Sequence, residues 1–335
     1  DLSKYDLALE YYDKSEKLLA SKYDRNDIQF AHVYWNKGNV YTFQGDYSKS
    51  TSYLIKAYSL ISNSDDIENS VKSKLLLDLG FAYEKKGDFH SAIEYYRKAA
   101  ANKSDAGIIK IYRNLGNIYH EIDEADSADK FYKLSITYAS HFFSGNSFDL
   151  ALCYQYYGEF LANNENDGKS MEYYAMASSI FEQIFGHQGK DLANVYLLES
   201  RYYLKQKNYN DALKKIQSAL ITLLPSFKAM DPRVNPSIDE IVFDLYLPNV
   251  LDQKALILAE KYKQSKDLED LKSSLETIYL TLAVIEEIRK TYTEEESQFI
   301  LNNEARNLID DGVKITHKLY TDTGNKQFLA ESFHF

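Results

Sequence analysis

Four groups of residues have the types that chemistry would need, and spacing decides each case. Gly168-Lys169-Ser170 imitates the end of a phosphate-binding P-loop, whose glycine-rich turn cradles phosphate while the lysine supplies charge. That loop requires another glycine five residues earlier, and position 163 is Asn. Seven histidines (His32, His90, His120, His141, His187, His317 and His334) include neither an H-x-x-x-H pair nor an H-E-x-x-H helix, the spacings that put two ligands on one metal. Cys153 is the one cysteine. A nucleophilic role would need a base and an oxyanion site, and a small buried apolar residue in a helix is the plainer reading. Glu286-Glu287 stands among Lys and Arg at helical spacing, where solvated i,i+4 pairing accounts for it. The residues therefore predict no catalytic group, no metal site and no cofactor.

Bulk properties narrow the class further. The chain has 335 residues, 44% hydrophobic and 27% charged, which describes a folded protein rather than a disordered one. Only 4 Pro and 13 Gly leave too few chain-breakers for many short strands. Tyr is unusually abundant at 30, a residue that packs as Phe does and keeps a hydroxyl for a wet edge. A net charge of −11 argues against nucleic acid as a partner, which would select a basic stripe. No apolar run is long enough for a membrane helix. A single cysteine permits no internal disulfide, so nothing demands an oxidising compartment and a cytoplasmic location is expected.

The elements that position these residues are read best between Leu75 and Ala100. Two amphipathic runs flank Lys86-Gly87-Asp88, with Gly80, Tyr83, Ala92, Tyr96 and Ala99 at offsets 0, 3, 12, 16 and 19. Glycine and alanine let two helices approach closely, the aromatic residues fill the space beside them, and Gly87-Asp88 ends one helix and caps the next. This order of small and aromatic residues resembles the tetratricopeptide repeat (TPR), a helix–turn–helix unit that stacks into a solenoid. The small residue recurs as Gly38, Gly80, Gly116, Gly158, Ser200 and Ala255, at spacings of 42, 36, 42, 42 and 55 residues, against a usual TPR period of about 34. Twelve positions on stand Ser50, Ala92, Ala128, Ser170 and Ala212. The fold class expected is all-α, a right-handed α-solenoid of about six to seven such units, several about 42 residues long.

Residues 1–224 then form the TPR array, starting in mid-repeat because Tyr5, Ala8, Tyr12 and Ser15 match a second helix. All four prolines (Pro225, Pro232, Pro236 and Pro248) lie in 225–250, a long ordered loop or boundary. Residues 251–335 form divergent TPR-like helices. The first carries Ala255, and the second carries the stripe Leu268, Leu271, Leu275, Ile278, Leu282 and Ile285. A capping box at Thr293-Glu294-Glu295-Glu296 starts a long helix to about Tyr320. After Thr323-Gly324-Asn325 comes a last helix, expected to be cut before a further domain.

In such a solenoid the first helices line a concave groove, with side chains at −6, −3, +1, +4 and +5 from the small residue facing it. Those slots offer Trp35, Asn39 and Phe43, then Phe81, then Arg113, Asn117 and His120, then Glu159, and Arg201 in the fifth unit. Arg113 and Asn117, one turn apart, resemble the basic-plus-Asn pair with which some TPR grooves hold a peptide carboxylate or backbone. Arg supplies a bidentate fork, and Asn both donates and accepts. The partner expected is a protein segment or peptide in this groove, or the chain's own C-terminal domain.

The stretch from about 230 to 335, with Asn235-Pro236, Lys254-Ala255 and long linking helices ending near Leu319-Tyr320, resembles bacterial TPR–CHAT proteins. There TPR repeats precede a caspase-like cysteine peptidase domain. The resemblance implies a bacterial regulatory and interaction scaffold whose His and Cys dyad would lie beyond Phe335, with no catalytic residue inside these 335. The alternative is a TPR sensor serving a signalling or transcription regulator with a different output domain.

Overall fold

The computed structural model describes every residue except 1, 63, 65, 102–105, 144–146, 165–166, 292–294 and 333–335. The described residues contain fifteen α-helices, two short 3₁₀ turns and no strand. None of these helices is long and apolar enough to cross a membrane. They fall into two compact units, Asp1–Phe160 and Leu161–Phe335. The first holds α1 (Leu2–Ala20), α2 (Ala31–Phe43), α3 (Tyr47–Ile61), α4 (Asn69–Lys85), α5 (Phe89–Ala101), α6 (Gly107–Glu121), α7 (Ala125–Phe142) and most of α8 (Phe148–Asn163). The second holds α9 (Asp167–Phe185), α10 (Lys190–Lys205), α11 (Tyr209–Leu223), α12 (Leu247–Ser265), α13 (Leu268–Thr291), α14 (Glu295–Thr323) and α15 (Lys326–Glu331).

Hairpins α2–α3, α4–α5 and α6–α7 stack in the first unit, and α10–α11 and α12–α13 in the second. Four of these five are closed the same way. One residue adopts left-handed φ: Gly45 at +77°, Gly87 at +81°, Asp123 at +59° and Lys207 at +55°. Each stands seven positions after Gly38, Gly80, Gly116 or Ser200. That conformation ends the first helix, and in three hairpins the next residue caps the second. Asp46, Asp88 and Asn208 accept from the backbone N–H of Lys49, Ser91 and Asp211 at 3.0, 3.1 and 3.4 Å.

The helix crossings explain the small residues. A Cβ on Gly80 would stand 2.5 Å from the Tyr96 ring, one on Gly116 2.8 Å from the Tyr132 ring, and one on Gly38 2.6 Å from Leu54 Cγ. Glycine is thus the seat for the second helix's large residue at offset 16. Tyr83 does not share that seat; it stacks on Tyr95 at 5.3 Å. Second helices bury a narrow stripe, as in Ala92, Tyr96 and Ala99 of α5. First helices bury more, as in Leu75, Leu76, Leu77, Leu79 and Ala82 of α4, because they pack on their own partner and on neighbouring hairpins.

The α12–α13 hairpin departs from the spacing. Its left-handed residue is Lys266, at +58°, so the position seven before it is Ala259, one helical turn beyond Ala255. The extra turn in α12 is what delays α13. Ala255 instead serves through its carbonyl, which accepts from buried Ser274 Oγ at 2.7 Å and so fastens α13 to α12.

The proline-containing stretch lies inside the second unit and is bonded to helices on both sides of it. Gln217 Nε2 of α11 donates to the carbonyls of Ala229, Asp231 and Val234 at 2.7, 3.1 and 3.3 Å. Lys254 Nζ of α12, fully buried, donates to the Val234 carbonyl at 2.7 Å. Asn235 Nδ2 donates to Thr277 Oγ1 at 3.0 Å, and Arg233 bonds Asp267 and Asp270. Buried Leu271, Leu275, Ile278 and Ile285 form the expected stripe of α13, with Leu301, Ala305, Leu308 and Leu319 on α14. Gly324 (φ +68°) and Asn325, which accepts from Gln327 N–H, start α15. The capping box expected at 293–296 depends on Thr293 and Glu294, which lie outside the described residues.

Candidate functional site

The first helices of the first unit present a polar seam where successive hairpins meet. Trp35 of α2 donates its indole N–H to Asp78 Oδ2 of α4 at 2.7 Å, and Asn39 Nδ2 donates to the same oxygen at 3.3 Å. His32 stacks on Trp35, ring centroids 6.5 Å apart. Burial pushes the Asp78 carboxyl above the usual aspartate range, with Trp35 and Asn39 opposing it. One seam further on, Asn114 Nδ2 of α6 donates to the Tyr96 hydroxyl at 3.0 Å, and that hydroxyl donates to Glu84 Oε2 of α4 at 2.7 Å. Burial raises Glu84 as well.

The expected groove residues divide into three groups. Trp35, Asn39, Phe81, Asn117, His120 and Glu159 are half-buried, at the boundary between seam and solvent. Asn117 accepts from the Tyr132 hydroxyl at 2.8 Å, His120 stands edge-on to Phe160 at 5.4 Å, and Lys85 Nζ lies 5.3 Å from the Phe81 ring. Phe43 is 69% exposed, with one face stacked on Tyr5 of α1. Arg113 differs. It is only 8% exposed, laid over the Tyr156 ring at 5.3 Å with Nη1 4.0 Å from Asp149 Oδ1. It does not share an open face with Asn117 as a free fork would; it fills the seam between α6 and α8.

Offsets −6, −3, +1, +4 and +5 passed over the residues two positions before the small one. Asp78, Asn114 and Tyr156 occupy that row, turned one residue around the helix toward the preceding hairpin, and each bonds to or packs on a residue of that hairpin. The signal was present in the sequence: residues able to bond or stack at one repeated offset. Cys153 is buried, and burial pushes its thiol pKa up, away from the thiolate that a nucleophile needs.

In the second unit Arg201 of α10 is exposed and donates to Asn249 Oδ1 of α12 at 3.1 Å. Beside it the Tyr246 hydroxyl donates to Asn194 Oδ1 at 2.7 Å. Between α12, α13 and α14 lies a cavity of about 230 Å³, with Ala255, Ile278 and Ile315 among its apolar lining and Asp252, Glu260 and Asp311 among its charged residues.

Comparison with known proteins agrees with this architecture. Two family models described as tetratricopeptide repeat match residues 29–105 and 109–142. The chain is 33% identical over 107 residues to photosystem I assembly protein Ycf3 of Synechococcus sp. (strain CC9605), covering 30% of this chain and 59% of that protein, which is less than two thirds of its length. The crystal structure of BtubC (BKLC) from P. vanneervenii superposes with a TM-score of 0.56 at 19% identity, over 73% of this chain and 92% of that one. That of the APC/C hetero-tetramer Cut9–Hcn1 does so with a TM-score of 0.53 at 13% identity, over 90% and 47%. These two likenesses concern the fold alone. Residues 29–105 and 109–142 are therefore tetratricopeptide repeats, carried in an all-helical solenoid fold of the kind that serves protein interaction.

Proposed function

We propose that this chain is a non-catalytic scaffold that grips an extended protein segment along the first helices of the Asp1–Phe160 unit. The observation that carries it is the Trp35–Asp78–Asn39 seam, which holds an indole and an amide in place before any ligand arrives. Groups already fixed cost less entropy on binding than free side chains do. Asn117 spends its carbonyl oxygen on Tyr132, and its Nδ2 has no protein partner among the described residues, so a donor remains for a peptide carbonyl. Phe81 and the open face of Phe43 supply apolar contact on the same set of helices. The test is selection from a phage-displayed library of linear peptides, followed by counter-selection on Asn117→Ala. Peptides that bind both proteins equally, or none at all, would refute this site.

The finer reading is that the scaffold regulates a CHAT-type cysteine peptidase in the cytoplasm of a bacterium. Its support is that Asn235, Lys254 and Ala255, residues carrying the resemblance, are among those that fasten the 224–246 loop to α12 and α13 and α13 to α12. Reading-frame sequence following these residues tests it. A caspase-like His and Cys pair supports it, and a basic helix-turn-helix supports a transcription regulator instead.

A further inference from the structure

We infer that the cavity between α12, α13 and α14 is a second binding site, which takes a basic side chain of a protein segment together with an apolar neighbour. Its floor is apolar: Ala255, Ile278 and Ile315 line it, and Leu256 stands at its edge with 44% of its surface exposed. Its rim is anionic. Asp252 of α12 and Asp311 of α14 both line it, and burial first, then the charge of Asp311, push the Asp252 carboxyl above the usual aspartate range. Lys314 and Lys263 line the cavity too, but each is paired with an acid of its own helix, Asp311 at 2.6 Å and Glu260 at 2.5 Å. Those pairings leave Asp252 as the carboxylate of the lining with no ion-pair partner among the described residues. Arg201, the cation whose field reaches Asp252, hydrogen-bonds Asn249.

Size and charge together select the occupant. At about 230 Å³ the cavity is smaller than the ~300–1,000 Å³ typical of small-molecule sites. One long side chain suits it better than a whole metabolite. A guanidinium or ammonium beside Asp252 would pair that carboxylate and offset its repulsion from Asp311, and the stem of the same side chain would lie on Leu256 and Ile315. A segment carrying Arg or Lys beside Leu fits both demands. The seam of the first unit offers indole and amides instead, so the two sites would read different features.

The probe is the blocked peptide acetyl-Leu-Arg-Leu-amide, compared with the same peptide carrying citrulline for arginine. Binding is read from methyl resonances of Leu256, Ile278 and Ile315 in the full chain. The arginine peptide should shift these three and bind about tenfold more tightly than the citrulline peptide. Asp252→Asn should remove that preference. Because it ends the repulsion from Asp311, this variant should melt no lower than wild type, so a lost preference cannot be put down to unfolding. Equal binding of the two peptides, shifts confined to other methyls, or spermidine binding as tightly as the arginine peptide would each overturn the inference.

Discussion

Trp35 donates its indole N–H to Asp78 across 2.7 Å, and the two residues stand 43 apart in sequence, one repeat plus the single step that carries a contact around to the next helix. Trp35→Phe should keep an aromatic ring and lose the bond, leaving a half-buried carboxylate with Asn39 alone. Hydrogen bonds to charged groups contribute roughly 1.5–3 kcal/mol, and a fall of that size in urea unfolding followed by circular dichroism is expected. An unchanged midpoint would mean the bond contributes nothing to the seam.

The two aspartates Asp78 and Asp88 should respond to pH in opposite senses. Burial lifts Asp78 above its ordinary 3.8, so the folded state holds that proton more tightly; its contribution is greatest below 3.8 and is lost as pH rises through the folded value. Asp88, capping α5 through the Ser91 backbone and hydroxyl, is held below 3.8; its contribution is present above 3.8 and is lost as pH falls through the folded value. From acid to neutral pH, Asp78→Asn should therefore gain stability relative to wild type while Asp88→Asn loses it. Parallel curves for the two variants would contradict the assignment.

Gly80→Ala should destabilise the first unit by about 1–3 kcal/mol through overpacking. The new methyl would meet the Tyr96 ring at 2.5 Å, and that ring is held at its hydroxyl by Glu84 and Asn114. Gly168→Ala, with nothing within 4 Å of its Cβ, should instead be neutral or gain about 0.4–1 kcal/mol. Thermal melts of the two variants check the contrast.

Lys254 offers a test of the loop clamp. Burial drives its pKa down to about 7 from an ordinary 10.5, so between those values the unfolded chain binds more protons than the folded one. Stability therefore rises with pH across that window. Lys254→Met lacks the titrating group, and wild type should gain on it steadily from pH 7 to 10.5. A constant difference between the two would show that the lysine is not buried against the Val234 carbonyl.

Much of the architecture could be read from residue order, because glycine and aspartate have few other uses at a helix–helix turn. Gly87-Asp88 and the pairing of Gly80 with α5 are of this kind. The α12–α13 turn was harder to read, since its left-handed residue is a lysine and its helix carries one extra turn. Periodicity alone placed that unit's small residue at Ala255, one turn early. At the candidate site, offsets picked out Trp35, Asn39 and Asn117 but not Asp78, whose role depends on the neighbouring hairpin. They also put Arg113 on an open wall, when Tyr156 and Asp149 draw it into the seam.

The most direct test of the scaffold's gripping surface uses its sole tryptophan. A peptide selected on the full chain is titrated against it while Trp35 emission is followed, with Asn117→Ala as the comparison. Binding along the first helices should change the emission saturably, and Asn117→Ala should weaken the affinity about tenfold, near the ~1.4 kcal/mol of one lost hydrogen bond. A peptide that binds by calorimetry yet leaves Trp35 emission unchanged, with equal affinity for the variant, would place the contact elsewhere.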